Sequence, residues 1–192
     1  MRWFQVSKRF LIRILSLAAL STVGSLLLMG CGSGSSNSET EASFQRISDF
    51  ERLLTIADVE STGWKETKTY DVEGLENAEA AQVGFWKHPI VGPLDFEIRV
   101  YSDHQTAVDD GTPFAEESSG EDAALNATTA MWDDGVRDRR LMVGQGGGTQ
   151  TAKFGDFVIL GNLVILCQGR NSEQALEQCE PFVNQIMGED SE

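Results

Sequence analysis

Phe157-Val158-Ile159-Leu160-Gly161-Asn162-Leu163-Val164-Ile165-Leu166-Cys167 is the stretch from which the fold is read. Two apolar runs flank a Gly-Asn pair, the composition of a tight β-hairpin. The runs are apolar at every position rather than at alternate ones, which indicates central strands covered on both faces. A polar turn follows from Gln168 to Ser172, where Asn171 or Ser172 can cap a helix. Ala175, Leu176, Cys179, Val183, Ile186 and Met187 then recur at helical intervals and form one apolar face. Pro181 lacks a backbone donor, so a kink or a restart is expected there.

An earlier block follows the same plan. Ala80 to Trp86 and Leu94 to Tyr101 read as strands joined by a turn through His88-Pro89 and Gly92-Pro93. In the second strand, Leu94, Phe96, Ile98 and Val100 alternate with Asp95, Glu97, Arg99 and Tyr101, the pattern of a half-buried, edge-like strand. Ser102 and Gln105 have capping-box spacing. A stripe of Ala107, Val108, Gly111, Phe114 and Ala115 follows, with a break expected at Thr112-Pro113. Phe44 to Val59 reads as a helix and Trp64 to Val72 as an extra strand. Ala124, Ala127, Thr128 and Met131 favour a helix ending near Trp132, with a short strand at Leu141–Val143. Gly144 to Gln150, with four glycines among seven residues, reads as a mobile loop, because it lacks the GxGxxG spacing of a phosphate cradle. The expected fold class is α+β: an antiparallel sheet of four or five strands, strand-strand-helix twice over, with helices packed against it.

The first 30 residues have a different character. Arg2, Lys8, Arg9 and Arg13 precede the apolar run Ile14–Met29, and no acidic residue occurs among them. Sixteen residues fall short of the roughly 20 that a spanning helix needs, and a short apolar region ending in small residues reads as a secretory signal. Leu28-Met29-Gly30-Cys31 resembles the lipobox of bacterial lipoprotein precursors. That resemblance implies diacylglycerol attached to the Cys31 sulfur and cleavage between Gly30 and Cys31, leaving the domain on the extracytoplasmic side of a membrane. Gly32 stands where an Asp would signal inner-membrane retention. The expected organisation is a signal peptide over 1–30, a Gly/Ser-rich flexible tether over 31–43, a single α+β domain over 44–188 and an acidic tail over 189–192.

Without the leader's four bases, eleven Lys and Arg remain against 30 Asp and Glu, a net charge of −19. Such acidity argues against nucleic acid or anionic lipid as the main partner. With Cys31 lipidated, Cys167 and Cys179 are an even pair in an exported chain, and a disulfide between them is expected. Redox-active pairs are usually spaced Cys-X-X-Cys, and neither His88 nor His104 has ligand-like spacing to either cysteine, so no metal is expected. Cys179 on the helix's apolar face can reach back to Cys167 at the strand end.

Residues that could carry chemistry are few. No Gly-X-Ser-X-Gly elbow is present, and neither Asp109-Asp110-Gly111 nor Asp133-Asp134-Gly135 continues into a calcium-loop spacing. His88 in a turn and His104 at a helix start read as incidental. Arg137, Arg139 and Arg140 stand out as three bases within four residues. They could clamp an anionic ligand, or neutralise Asp133, Asp134 and Asp138 within the chain. Together with Trp132 and Trp86 they are the candidate lining of a small cleft. The strand-hairpin-Cys-helix ending loosely resembles small extracytoplasmic lipoprotein domains that act as sensors or ligand-binding modules. The sequence is thus read as a lipid-anchored, non-enzymatic binding or accessory domain without a cofactor. An envelope assembly protein, working through protein contacts, is the second reading.

Overall fold

The structure is a computed structural model and describes residues 44–143 and 148–188. The leader, Cys31, the tether and the acidic tail lie outside these residues, as does most of the Gly144–Gln150 loop.

The hairpin quoted first forms the middle of the sheet. β7 (Phe154–Leu160) and β8 (Leu163–Gln168) are buried at nearly every position, and Gly161 takes a positive φ of 53° in the turn between them. A Cβ at Gly161 would press on Phe50 at 3.0 Å, so both backbone shape and space favour glycine. Next to β8 lies β4 (Gly92–Tyr101), then β3 (Ala78–His88) and β2 (Lys65–Tyr70). On the other side, β1 (Ile47–Ser48) pairs with β7 in parallel.

The α+β class and the disulfide thus hold, but the sheet is larger and mixed: six strands in the order β1-β7-β8-β4-β3-β2 rather than four or five antiparallel ones. The added parallel strand comes from the segment expected to be a helix from Phe44. There, Arg46 and Ser48 carbonyls accept from Ile159 and Gly161 amides at 2.8 and 2.9 Å. The Asn162 side chain holds both backbone groups of Leu54, at 2.7 and 3.0 Å. Sheet edge and turn therefore satisfy this backbone, and helix begins only at α1 (Ile56–Ser61), where Thr55 and Asp58 form a capping box.

One face of the sheet is covered by α4 (Ser172–Met187), which runs through Pro181 without restarting. Asn171 caps its start, accepting from the Gln174 amide at 2.9 Å, and Gly188 ends it at φ 83°. Cys179 is bonded to Cys167 with their Cα atoms 5.7 Å apart. Phe182 nests against Phe96 and Trp86, with ring centroids 4.4 and 5.3 Å away. The other face is covered by a helical run: α2 (His104–Thr106), a π turn (Ala107–Gly111) and α3 (Thr112–Ser118). Asp103, not Ser102, caps it, accepting from the Thr106 amide at 2.8 Å. The run continues past Thr112-Pro113 because Pro113 falls in the first turn of α3, where no amide is needed. Gly111 admits the close approach, since a Cβ would sit 2.8 Å from Val164.

Residues 121–139 form turns rather than the expected helix. Asn126 turns its side-chain oxygen onto the Thr128 amide (3.0 Å), and the Glu117 carboxylate takes the Met131 amide (2.8 Å), so local side chains outcompete helical bonding. The strand at Leu141–Val143 does form, as β5 (Arg140–Val143). It pairs with β6 (Thr149–Ala152) in a separate two-stranded ribbon. No helix among the described residues is long and apolar enough to cross a membrane.

Candidate functional site

β4 alternates as expected, yet from Phe96 to Tyr101 neither of its faces meets water. Phe96 and Ile98 face α4; Glu97 and Arg99 face the helical run, and all four are 0% exposed. The strand is central rather than edge-like, since it pairs with both β3 and β8, and its charged side is paired off instead of solvated.

The pairing centres on Glu97. Arg139 donates to its carboxylate from Nε (2.9 Å to Oε2) and Nη2 (3.1 Å to Oε1), and Arg99 Nε donates to Oε1 at 2.9 Å. Arg139 Nη2 also reaches the Asp134 carbonyl at 2.9 Å, and Arg99 Nη2 reaches Ser118 Oγ at 2.8 Å. The Trp132 ring lies beneath both guanidiniums, its centroid 4.4 Å from Arg139 and 5.2 Å from Arg99, an arrangement that the ring's negative face favours. Its own Nε1 donates to the Asp71 carbonyl at 3.1 Å. Burial alone would raise the Glu97 pKa, but the charges of Arg99 and Arg139 outweigh it and hold the carboxyl below its ordinary value. Arg99 is pulled below the usual arginine range by burial, against the pull of Glu97.

At the rim, Tyr70 donates its hydroxyl to Asp138 Oδ2 at 3.1 Å, and Lys68 binds the same oxygen at 3.0 Å. Burial, followed by the charges of Glu97 and Asp138, raises the Tyr70 pKa well above its ordinary value. Asp138 is held low: burial would raise it, but the Lys68 and Tyr70 bonds prevail. Chemically this constellation is a clamp. It fastens β4, the end of α3 and the 132–139 turns together.

The five residues singled out for a cleft do not share one. Arg139 and Trp132 belong to the clamp, Arg137 is exposed, and Arg140 is half-buried at the start of β5. Trp86 lies on the opposite face of the sheet, packed on Phe182, with its Nε1 donating to the Thr62 carbonyl at 3.1 Å. His88 is buried rather than incidental. Its Nδ1 accepts from the Ile90 and Val91 amides at 3.1 and 3.3 Å and so shapes the β3–β4 turn. His104 Nδ1 meets the Gly161 carbonyl at 2.8 Å.

Sequence reasoning missed a groove beside the β5–β6 ribbon. It encloses about 620 Å³ between Leu125, Leu141, Val143 and Phe154, with Glu121 and Arg170 also lining it. Its one advance signal was the short apolar strand Leu141–Val143, left without a place in the main sheet.

Residues 55–188 match the Family of unknown function (DUF6810). The chain belongs to this family. The DUF6810 segment begins at Thr55, the cap of α1, and ends at Gly188, the cap of α4. It includes the clamp, both bonded cysteines and the groove, and leaves out β1. No curated protein and no solved structure matches the chain.

Proposed function

We propose that the chain is a lipid-anchored, extracytoplasmic binding or accessory domain without enzymatic activity of its own, and that the groove beside the β5–β6 ribbon is its binding surface. The groove carries the binding reading: apolar walls with a few charged groups are the usual make-up of a site for a small ligand or an inserted side chain. The clamp supports the non-enzymatic reading, because Arg99 and Arg139 donate to Glu97, Ser118 and the Asp134 carbonyl inside the domain, although Arg99 Nη1 is buried without a partner. The Cys167–Cys179 bond suits a chain that folds in an oxidising compartment, and the lipobox-like Leu28–Cys31 supports the anchor.

Two measurements on the full chain test this. Wild-type protein made in a bacterial host is expected in the membrane fraction and Cys31→Ser in the soluble one; equal partitioning refutes the anchor. Anilinonaphthalene sulfonate, an apolar dye with an anionic end, is expected to bind wild type and to lose affinity severalfold in Leu141→Asp. Equal binding by both refutes the groove.

A further inference from the structure

We propose that one end of the sheet, the end carrying the β3–β4 turn and the β5–β6 ribbon, rests on the lipid bilayer, with the aliphatic side chains there that do not line the groove, Ile90, Val91 and Met142, entering its interface. This rests on the anchor reading above and goes beyond it by fixing which end of the domain faces the lipid.

The first observation is where the exposed apolar side chains lie. Among the described residues eight large ones are exposed, and five of them belong to these two projections: Ile90, Val91, Leu141, Met142 and Val143. Ile90 is 86% exposed and Met142 62%. Scattered apolar residues on a surface need no explanation, whereas a cluster marks a contact surface.

Strand register places both projections at the same end. Phe154 opens β7 opposite Gln168, and Gln168 Oε1 accepts from the Asp95 amide at 2.7 Å. β4 continues from Asp95 back to Gly92, opposite His88, so the β3–β4 turn overhangs that end. The ribbon leads into β7 there through Lys153, which bonds Asp95 at 2.7 Å. The Gly161-Asn162 turn lies at the far end, and exposed Leu53 adjoins it, because Asn162 grips Leu54.

The second observation is where the chain enters the domain. β1 runs parallel to β7, with Ile47 opposite Ile159, so Phe44 lies toward the start of β7, at the projecting end. Twelve residues lie between Cys31 and Phe44, and the connection spans at most about 45 Å. The chain therefore enters the domain at the end that carries the apolar cluster, within reach of a lipid on Cys31. The turn is also pre-shaped, since His88 holds the Ile90 and Val91 amides and presents the two side chains outward.

Lys87 adjoins the turn and Arg140 the ribbon, but the acidity of the chain as a whole makes apolar insertion the main attraction. Zwitterionic lipid is therefore enough.

The test uses the full lipidated chain in phosphatidylcholine vesicles. With Cys31 acylated and Cys167 bonded to Cys179, a fluorophore labels only an introduced thiol, placed by Ile90→Cys, Met142→Cys or, at the far end, Leu53→Cys. The orientation is expected to give a blue shift and severalfold stronger quenching by brominated lipid at positions 90 and 142 than at 53. Adding phosphatidylglycerol is expected to leave that ratio unchanged. A lipidated chain whose positions 90 and 142 stay as wet as 53 overturns the orientation alone, and so does a chain in which only a protein crosslink protects them. A chain whose mass shows no diacylglycerol overturns the anchor and this orientation with it.

Discussion

Glu97 and Arg139, 42 positions apart, meet inside the domain through two parallel hydrogen bonds of 2.9 and 3.1 Å. This fork ties a strand in the middle of the sheet to a segment that has no regular secondary structure of its own. Burying charges is costly, and the pair survives because Arg99, Ser118, the Asp134 carbonyl and the Trp132 ring satisfy most of what remains.

Breaking the fork should cost far more than replacing it. Arg139→Met, which leaves Glu97 with a single cationic partner, is expected to destabilise the domain by about 3–5 kcal/mol in denaturant titrations. The triple change Glu97→Leu/Arg99→Met/Arg139→Met is expected to lose much less than the sum of the single changes. Additive losses would mean that the three groups do not act as a unit.

Acid should find the same cluster. A carboxyl whose pKa is lower in the folded state adds stability that is complete above its unfolded pKa and is lost as pH falls through the folded one. Glu97 is held below its ordinary 4.5, so its contribution should persist at neutral pH, begin to fall below about pH 4.5 and be lost as pH drops through its lower folded-state pKa. Asp58 and Asp138 are also held low. The expected signature is therefore the difference between proteins: Tm falls more steeply below that pH in wild type than in Glu97→Gln. Parallel curves would show that Glu97 does not contribute.

The disulfide closes a short loop, with a sequence separation of 12. Reduction, or the paired change Cys167→Ala/Cys179→Ala, is expected to cost about 2–4 kcal/mol without changing the fold. An unchanged unfolding midpoint under reductant would argue against a stabilising bridge.

Gly84 lies against the Lys65 carbonyl and the Trp64 ring, leaving no room for a Cβ. Gly84→Ala should push β2 away from β3 and lower stability, by roughly 1–3 kcal/mol as overpacking does. Wild-type stability in this variant would refute the close approach.

His88→Ala should act locally. Without the imidazole acceptor, the amides of Ile90 and Val91 are expected to exchange faster with solvent while the central strands keep their protection. Unchanged exchange at those two amides would remove His88 from its role in shaping the turn.

Legibility in the sequence followed how local the cause was. The β7–β8 hairpin, α4 and the bridge were readable because Gly161, Asn171 and the spacing of Cys167 and Cys179 act over a few residues. β1 was not, since two residues gain strand geometry only from the edge of β7, more than a hundred positions away. β4 misled for the same reason. A strand with Glu97 and Arg99 on one side looks solvated until Arg139 arrives from a distant turn. Of the three clustered arginines, Arg139 pairs with the Glu97 side chain rather than with those of Asp133 or Asp134, while Arg137 is exposed and Arg140 half-buried. An opposite-charge pair at alternate positions of an otherwise apolar strand was the available clue.

The account stands or falls most directly on the amino terminus of the protein recovered from membranes of a bacterial host. An intact-mass spectrum of detergent-extracted wild-type chain is expected to show a polypeptide beginning at Cys31 and carrying a diacylglycerol on its sulfur. A chain that retains residues 1–30, or that begins at Cys31 without added lipid, would contradict it.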